Sequence, residues 1–235
     1  MDRNAPFLVL PDYRENLVLD LIPGIPSGDI IADNSPYGNN ATKSNSPLRI
    51  SGPGVPVLDF AAQGFLTVPN ATELNIGSGD MSYCFWTKSE SFDTEAKLFS
   101  KNVRPIIGPT SIVGKNQFYM YAFDNDEVDE FELYQITASS ITANEWHFNV
   151  IVFDNSELPV KLYQDGNLIF TKNRSSADLT YSIVSDIIIG RSLNTNQFQG
   201  QIAMVRMYKS VLTLGQIKKI YHYTRRNIMG LSPKP

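Results

Sequence analysis

The chain has little of what most enzyme and metal chemistry needs. Among its 235 residues there is one cysteine and there are two histidines. The single cysteine, Cys84, excludes an intrachain disulfide. It lies in the apolar run Met81-Ser82-Tyr83-Cys84-Phe85-Trp86 and reads as a small buried hydrophobe. A nucleophilic role would need an imidazole partner, and only His147 and His222 are present, too few for a zinc cluster of the Cys/His type. Charge is scarce as well, at 19% of residues, with 20 Lys and Arg against 24 Asp and Glu and a net charge of −4. A mildly acidic chain lacks the general pull on phosphate backbones, so nucleic acid is not expected as a partner. The cluster Lys218, Lys219, Arg225 and Arg226 reads as the solvated face of one helix. No apolar run reaches the roughly 20 residues that span a bilayer, so membrane insertion is not expected. The short run Phe7-Leu8-Val9-Leu10 stops at Pro11-Asp12 and makes no signal-peptide core. Without a secretion signal, the Asn-x-Ser/Thr triplets at Asn40, Asn70 and Asn173 carry no weight.

What is present is a large apolar fraction, 42%, cut into short pieces. Val57 to Phe60, Phe65 to Val68, Ser82 to Thr87, Lys97 to Ser100 and Gln117 to Phe123 read as strands. So do Phe131 to Thr137, Trp146 to Phe153, Val160 to Gln164, Leu168 to Thr171, Asp186 to Gly190 and Gln201 to Tyr208. Clusters of Gly, Pro, Asn, Asp and Ser separate them, the pattern of a sandwich or barrel. In Trp146-His147-Phe148-Asn149-Val150 the apolar residues share one face. The strand then turns apolar on both faces at Ile151-Val152-Phe153, as expected of a strand covered on both sides or one under a loop. Asp165-Gly166 between two strand patterns predicts a tight hairpin. Thr213-Leu214-Gly215-Gln216 is a capping box, and Ile217, Ile220 and Tyr221 follow at helical spacing. This helix is expected on an edge or end of the sandwich. The organisation expected is an N-terminal arm (1–14), one domain (15–226) and a C-terminal tail (227–235).

Several of these segments, in their order, resemble the single laminin-G-like jelly rolls of the concanavalin A-like lectin/glucanase superfamily. Leu17-Val18-Leu19-Asp20, followed by Asp33-Asn34-Ser35-Pro36-Tyr37-Gly38-Asn39-Asn40, is similar to the opening strand and its Asp-x-Ser turn. Leu58-Asp59-Phe60 with Gly64 to Pro69, and then Met81 to Lys88, are similar to the next strands. Trp146-His147 with Leu162-Tyr163-Gln164-Asp165-Gly166 is similar to a central pair. Ile188-Ile189-Gly190-Arg191, Phe198 to Ile202, Val205 to Tyr208 and the helix from Thr213 are similar to the closing elements. The resemblance implies an all-β fold: a two-sheet antiparallel jelly-roll sandwich with one short C-terminal helix. It implies glycan or protein binding on a concave sheet face or on rim loops, since members include lectins, adhesion modules, glycanases and pieces of larger assemblies.

Three sets of candidate site residues follow. Exposed aromatics with Asn on rim loops would serve a glycan, and Tyr37, Asn39 and Asn40 or Asn194, Asn196 and Phe198 supply them. Asp33, Ser35 and Asn39 offer oxygen ligands for calcium, which is common in the family. They equally hold a turn through side-chain to backbone bonds. The calcium-ligating carboxylate that the resemblance implies just after Gly200-Gln201-Ile202 is replaced here by Ala203-Met204. Finally, Glu127-Val128-Asp129-Glu130-Phe131-Glu132 is similar to the Glu-x-Asp-x-x-Glu signature of retaining β-glucanases. There Glu127 would be the nucleophile, Asp129 its tuner and Glu132 the acid/base. On a plain strand Glu132 faces away from the other two unless a bulge intervenes. An acidic loop beginning at Asp124 explains the run without chemistry. The expectation is therefore a non-enzymatic binding or structural module. Its partners would be protein subunits of a larger assembly, as a virion-surface or capsid-decorating protein released by lysis, or glycans, as a lectin-like protein. The proline-bearing arms suit docking or oligomerisation.

Overall fold

The structure is a computed structural model. It describes residues 14–24, 28–45, 48–60, 64–75, 79–91, 96–101, 106–112, 115–123, 130–132, 142–155, 159–173, 184–191 and 197–230. The strands in chain order are β1 (Leu17–Leu21), β2 (Ile30–Ile31), β3 (Ala41–Ser44), β4 (Leu48–Ile50), β5 (Val57–Asp59) and β6 (Phe65–Val68). Then come β7 (Met81–Ser89), β8 (Phe99–Lys101), β9 (Ile106–Ile112), β10 (Lys115–Phe123) and β11 (Glu130–Glu132). The last are β12 (Trp146–Phe153), β13 (Pro159–Gln164), β14 (Asn167–Asn173), β15 (Ile187–Ile189) and β16 (Gly200–Tyr208), followed by helix α1 (Leu214–Asn227).

They form two antiparallel sheets. The first runs β14-β13-β12-β7-β16-β5-β4, the second β11-β10-β9-β8-β15-β6-β3-β2. β1 and β5 share one edge of β16 at different heights: β1 pairs with Val205 to Tyr208, β5 with Gln201 and Ile202. A bulge in β16 between Ile202 and Met204 changes its parity. Ile202, Val205 and Met207 consequently face the core between the sheets, while Ala203, Met204 and Tyr208 face the other way.

Alternation along β7 and β12 feeds two separate cores. Met81, Tyr83, Phe85, Ile151 and Phe153 join Leu98, Phe99, Ile187 and Ile189 between the sheets. Cys84, Trp86, Phe148, Val150 and Val152 point outward and are buried all the same. Their cover is α1. Ile217, Ile220 and Tyr221 lie over them, with Leu212, Ile228 and Met229. Trp86 stacks on Tyr221 at 5.8 Å and packs against Phe148 at 5.6 Å. Such pairs add about 0.5–1.5 kcal/mol each beyond area burial. The Trp86 indole N–H donates to the Thr224 hydroxyl at 2.7 Å, and that hydroxyl donates to the Ile220 carbonyl at 2.7 Å. The helix is therefore a third layer across the face of the first sheet, a correction to its expected place at an edge or end. Strands apolar on both sides, such as Ile151-Val152-Phe153, need an apolar cover, and the apolar face of α1 supplies it with Leu212, Ile228 and Met229.

The hairpin and cap form as the sequence predicts. Asp165 (φ 50°) and Gly166 (φ 80°) make the two-residue turn joining β13 and β14. Thr213 and Gln216 bond reciprocally at the start of α1. The expected tail at 227–235 starts too early. Ile228 and Met229 are buried, and the Val55 N–H donates to the Ile228 carbonyl at 3.1 Å. Gly54 is required there, because a Cβ would meet the Ile228 carbonyl oxygen at 2.5 Å. The packed unit thus reaches about Gly230.

Candidate functional site

With α1 lying over it, the outward face of the first sheet offers no open concave surface where β7, β12 and β16 run. The rim around the start of β1 combines an exposed aromatic ring with a depression.

On one flank of β1 lies the turn 33–40, organised by a single carboxylate. Asp33 Oδ1 accepts the N–H groups of Asp20 at 2.7 Å and Ser35 at 2.9 Å. Oδ2 accepts the Ser35 hydroxyl at 2.6 Å and the Asn39 N–H at 2.7 Å. The Asp33 N–H in turn donates to Asn40 Oδ1 at 2.9 Å, and Asn39 Nδ2 donates to the Val18 carbonyl at 3.1 Å. Each asparagine thereby spends one amide atom on the turn. Ser35 Oγ receives the Tyr37 N–H at 3.3 Å, and Gly38 (φ 72°) lets the chain reverse. The product is a fixed platform from which the Tyr37 ring stands out, 54% exposed.

On the other flank, where Leu17 pairs with Tyr208, a depression of about 310 Å³ opens. Glu15, Asn16, Tyr208, Ser210, Val211, Leu212, Thr213 and Gln216 line it. Asn16 sits at φ 61°, a conformation asparagine tolerates, and its carbonyl accepts the Lys209 N–H at 2.8 Å. Glu15 is exposed and makes no hydrogen bond or ion pair with the described residues. Tyr208 forms the floor, and burial holds its phenol protonated well above the usual tyrosine range. Beneath the sheet surface Asp20 and Arg206 form a buried two-point ion pair at 2.6 and 3.2 Å.

The other candidates fare differently. Phe198 is corrected outright: it is fully buried, edge-on to Phe60 at 6.1 Å, and cannot stack on a ligand. Asn194 and Asn196 lie outside the described residues. So do Glu127 and Asp129. Glu132 is in β11, an edge strand in regular register with β10, where it pairs with Tyr121. Asp33, Ser35 and Asn39 converge as the calcium reading requires, but both Asp33 oxygens already accept two protein hydrogen bonds each. Among the described residues no group of three or more His, Cys, Asp or Glu side chains gathers as for a metal. Cys84 is fully buried, which pushes its thiol up to about 12, so it is a packing residue.

The sequence reading missed the depression, because Glu15 and Ser210 are nearly two hundred residues apart and no local pattern joins them. It also missed the partner of His147, which is Asp165 at 3.0 Å. Asp165 Oδ1 accepts the Phe148 N–H at 2.9 Å, so this carboxylate fastens the hairpin to β12. The signal was the resemblance of Trp146-His147 and Asp165-Gly166 to one central pair of the family.

Comparison with known proteins agrees with this architecture. Domain 4 of AbnA, a GH43 extracellular arabinanase from Geobacillus stearothermophilus solved in complex with arabinotriose, superposes with a TM-score of 0.69 at 16% identity. The match covers 88% of this chain and 98% of that one. The binding domain of Paraclostridial Mosquitocidal Protein 1 gives 0.70 at 17% identity, covering 89% of this chain and 52% of that one. A structure of botulinum neurotoxin type C, whose cell entry depends on interaction with two ganglioside molecules, gives 0.65 at 14%, covering 91% and 52%. This chain therefore spans about half of each toxin fragment. At these identities the likeness is one of fold. No curated protein matches the sequence. The profile of the concanavalin A-like lectin/glucanases superfamily matches residues 60–218, more than half of the chain, and the protein belongs to that superfamily.

Proposed function

We propose that the chain is a non-catalytic carbohydrate-binding module that engages glycan at the rim around the start of β1. The observation that carries this reading is the exposed Tyr37 ring on a turn whose geometry Asp33 fixes. A sugar ring has an apolar C–H face that stacks on an aromatic ring, and a platform fixed beforehand loses little entropy on binding. The free amide atoms of Asn39 and Asn40 and the polar depression across β1 add hydrogen-bonding groups around it. Solved relatives of the same fold support the reading, one of them in complex with arabinotriose.

The test is a glycan array followed by calorimetry on the best ligand. Tyr37→Ala should weaken binding about tenfold, equivalent to about 1.4 kcal/mol, and leave folding unchanged because the ring is exposed. Unchanged affinity would remove the rim as the site, and absence of binding to any glycan would remove the function. Release of reducing ends from β-glucan, abolished by Glu132→Gln, would show catalysis instead. The setting we propose is a particle surface to which such a module gives glycan attachment. Co-sedimentation with native particles at fixed stoichiometry checks it, and a wholly unassociated protein rejects it.

A further inference from the structure

We infer that the depression beside β1 selects neutral sugars over acidic ones and that Glu15 sets this selection. The inference rests on the glycan-binding reading and narrows its ligand class. Glu15 is the one ionised side chain among the eight lining residues. The rest are hydroxyls, amides and apolar groups. Its carboxylate has no partner among the described residues, so its oxygens are available to accept hydroxyl donors from a ligand.

None of the eight lining residues carries a positive charge that would offset Glu15 toward an anion; the flanking Arg14 and Lys209 are not among them. The buried guanidinium of Arg206 is neutralised by Asp20 in the two-point pair. The helix start is directed elsewhere. Thr213 and Gln216, which do line the depression, use their groups on each other: Gln216 N–H on Thr213 Oγ1 at 3.3 Å and Thr213 N–H on Gln216 Oε1 at 2.8 Å. The remaining first-turn N–H groups belong to Leu214 and Gly215, which do not line it. The basic residues of α1 begin only at Lys218. A sialic acid, uronate or sulfate seated here would face a like charge with no cation among the lining residues to answer it. A neutral hexose or N-acetylhexosamine supplies donors for Glu15 and acceptors for Asn16, Ser210 and the Gln216 amide nitrogen. The volume of about 310 Å³ accommodates one such ring with room for a second.

The experiment is an array carrying neutral hexose and N-acetylhexosamine glycans beside sialylated, uronate-bearing and sulfated ones, probed with the wild-type chain, Glu15→Gln and Glu15→Lys. The wild type should bind neutral glycans and disfavour acidic ones by at least about fivefold, the factor for a like charge at about 4 Å in water. Glu15→Gln should narrow that ratio, Glu15→Lys should invert it, and both effects should shrink at high salt. Glu15 is exposed, so these variants fold, and the readout is a selectivity ratio that loss of stability does not imitate. Wild-type binding of acidic glycans as tight as of neutral ones, or a ratio unmoved by both variants, overturns the inference while leaving glycan binding intact. Binding to no glycan at all overturns the functional reading and this inference with it.

Discussion

Replacing Thr224 by valine removes one oxygen and keeps the shape of the side chain. In the folded protein that oxygen accepts the Trp86 indole N–H at 2.7 Å, with both side chains buried. After the change the indole N–H has no acceptor and no water, which costs about 1–3 kcal/mol. The Ile220 carbonyl also loses the hydroxyl at 2.7 Å, a smaller loss because it keeps its helical role. A total near 2 kcal/mol corresponds to a fall in Tm of about 4–8 °C for a domain of this size. The assay is thermal unfolding followed by circular dichroism, in a cycle with Trp86→Phe. Phenylalanine brings no donor, so Thr224→Val should cost less than about 0.5 kcal/mol in that background, a coupling of about 1.5 kcal/mol. Equal cost in both backgrounds would refute the claim that this hydrogen bond fastens α1 to the sheet. Glycan affinity should not move, because both residues lie under the helix and away from the rim.

Two further outcomes follow from the same structure. The Lys101 ammonium is held at about 8 against 10.5 for the free group, by burial first and the charge of Lys209 second, with Asp186 acting in the opposite sense. The unfolded chain therefore binds more protons between those values, so stability should rise with pH from about 8 to 10.5 and be flat below 8; urea unfolding of Lys101→Met across this range should lack that increment, and an identical pH profile would refute the assignment. For the turn, Asp33→Ala removes an acceptor of four hydrogen bonds and should lower Tm by several degrees, about 3 kcal/mol, whereas millimolar calcium should leave the wild-type Tm unchanged, since Asp33 has no lone pair left uncommitted. A calcium-dependent rise in Tm would show that the turn opens to take the ion.

How much of this was legible in the sequence depends on how local each feature is. The Asp165-Gly166 hairpin and the Thr213–Gln216 cap are set by neighbouring residues, and both form as read. The long strands β7, β12 and β16 carry enough alternation to be found. Some of the short ones do not. β3 (Ala41–Ser44) and β4 (Leu48–Ile50) are too brief to show a period, and β9 holds Gly108 and Pro109, which interrupt a strand pattern. Pro109 is tolerated opposite Phe118 in the β9–β10 pair. Phe198 was misjudged because Asn and Gln surround it in sequence, whereas Phe60, far along the chain, surrounds it in space. Tyr37 lies exposed on its turn as the local sequence suggests, because the Asp-x-Ser turn fixes its own geometry. The depression needed the β1–β16 pairing, which no local pattern announces.

The third layer decides where function can sit. A two-layer sandwich leaves the outer face of each sheet to water, and a curved outer face can serve as a cleft. Here the outward residues of the first sheet are Trp86, Phe148, Val150, Val152 and Met204, a surface too apolar to stay exposed. Once α1 and the Ile228–Met229 segment cover it, that face is closed to a ligand, and chain reversals at the sheet ends offer polar groups instead. At the β1 rim two such reversals meet on either side of one strand. One presents an aromatic ring on a fixed turn, and the other presents the exposed Glu15 carboxylate over hydroxyl and amide groups. Neither needs α1 to move. Weakening the helix, as in Thr224→Val, should therefore lower stability without lowering affinity, and weakening Asp33 should lower both. That pair of responses separates a rim-binding module from one whose ligand enters between helix and sheet.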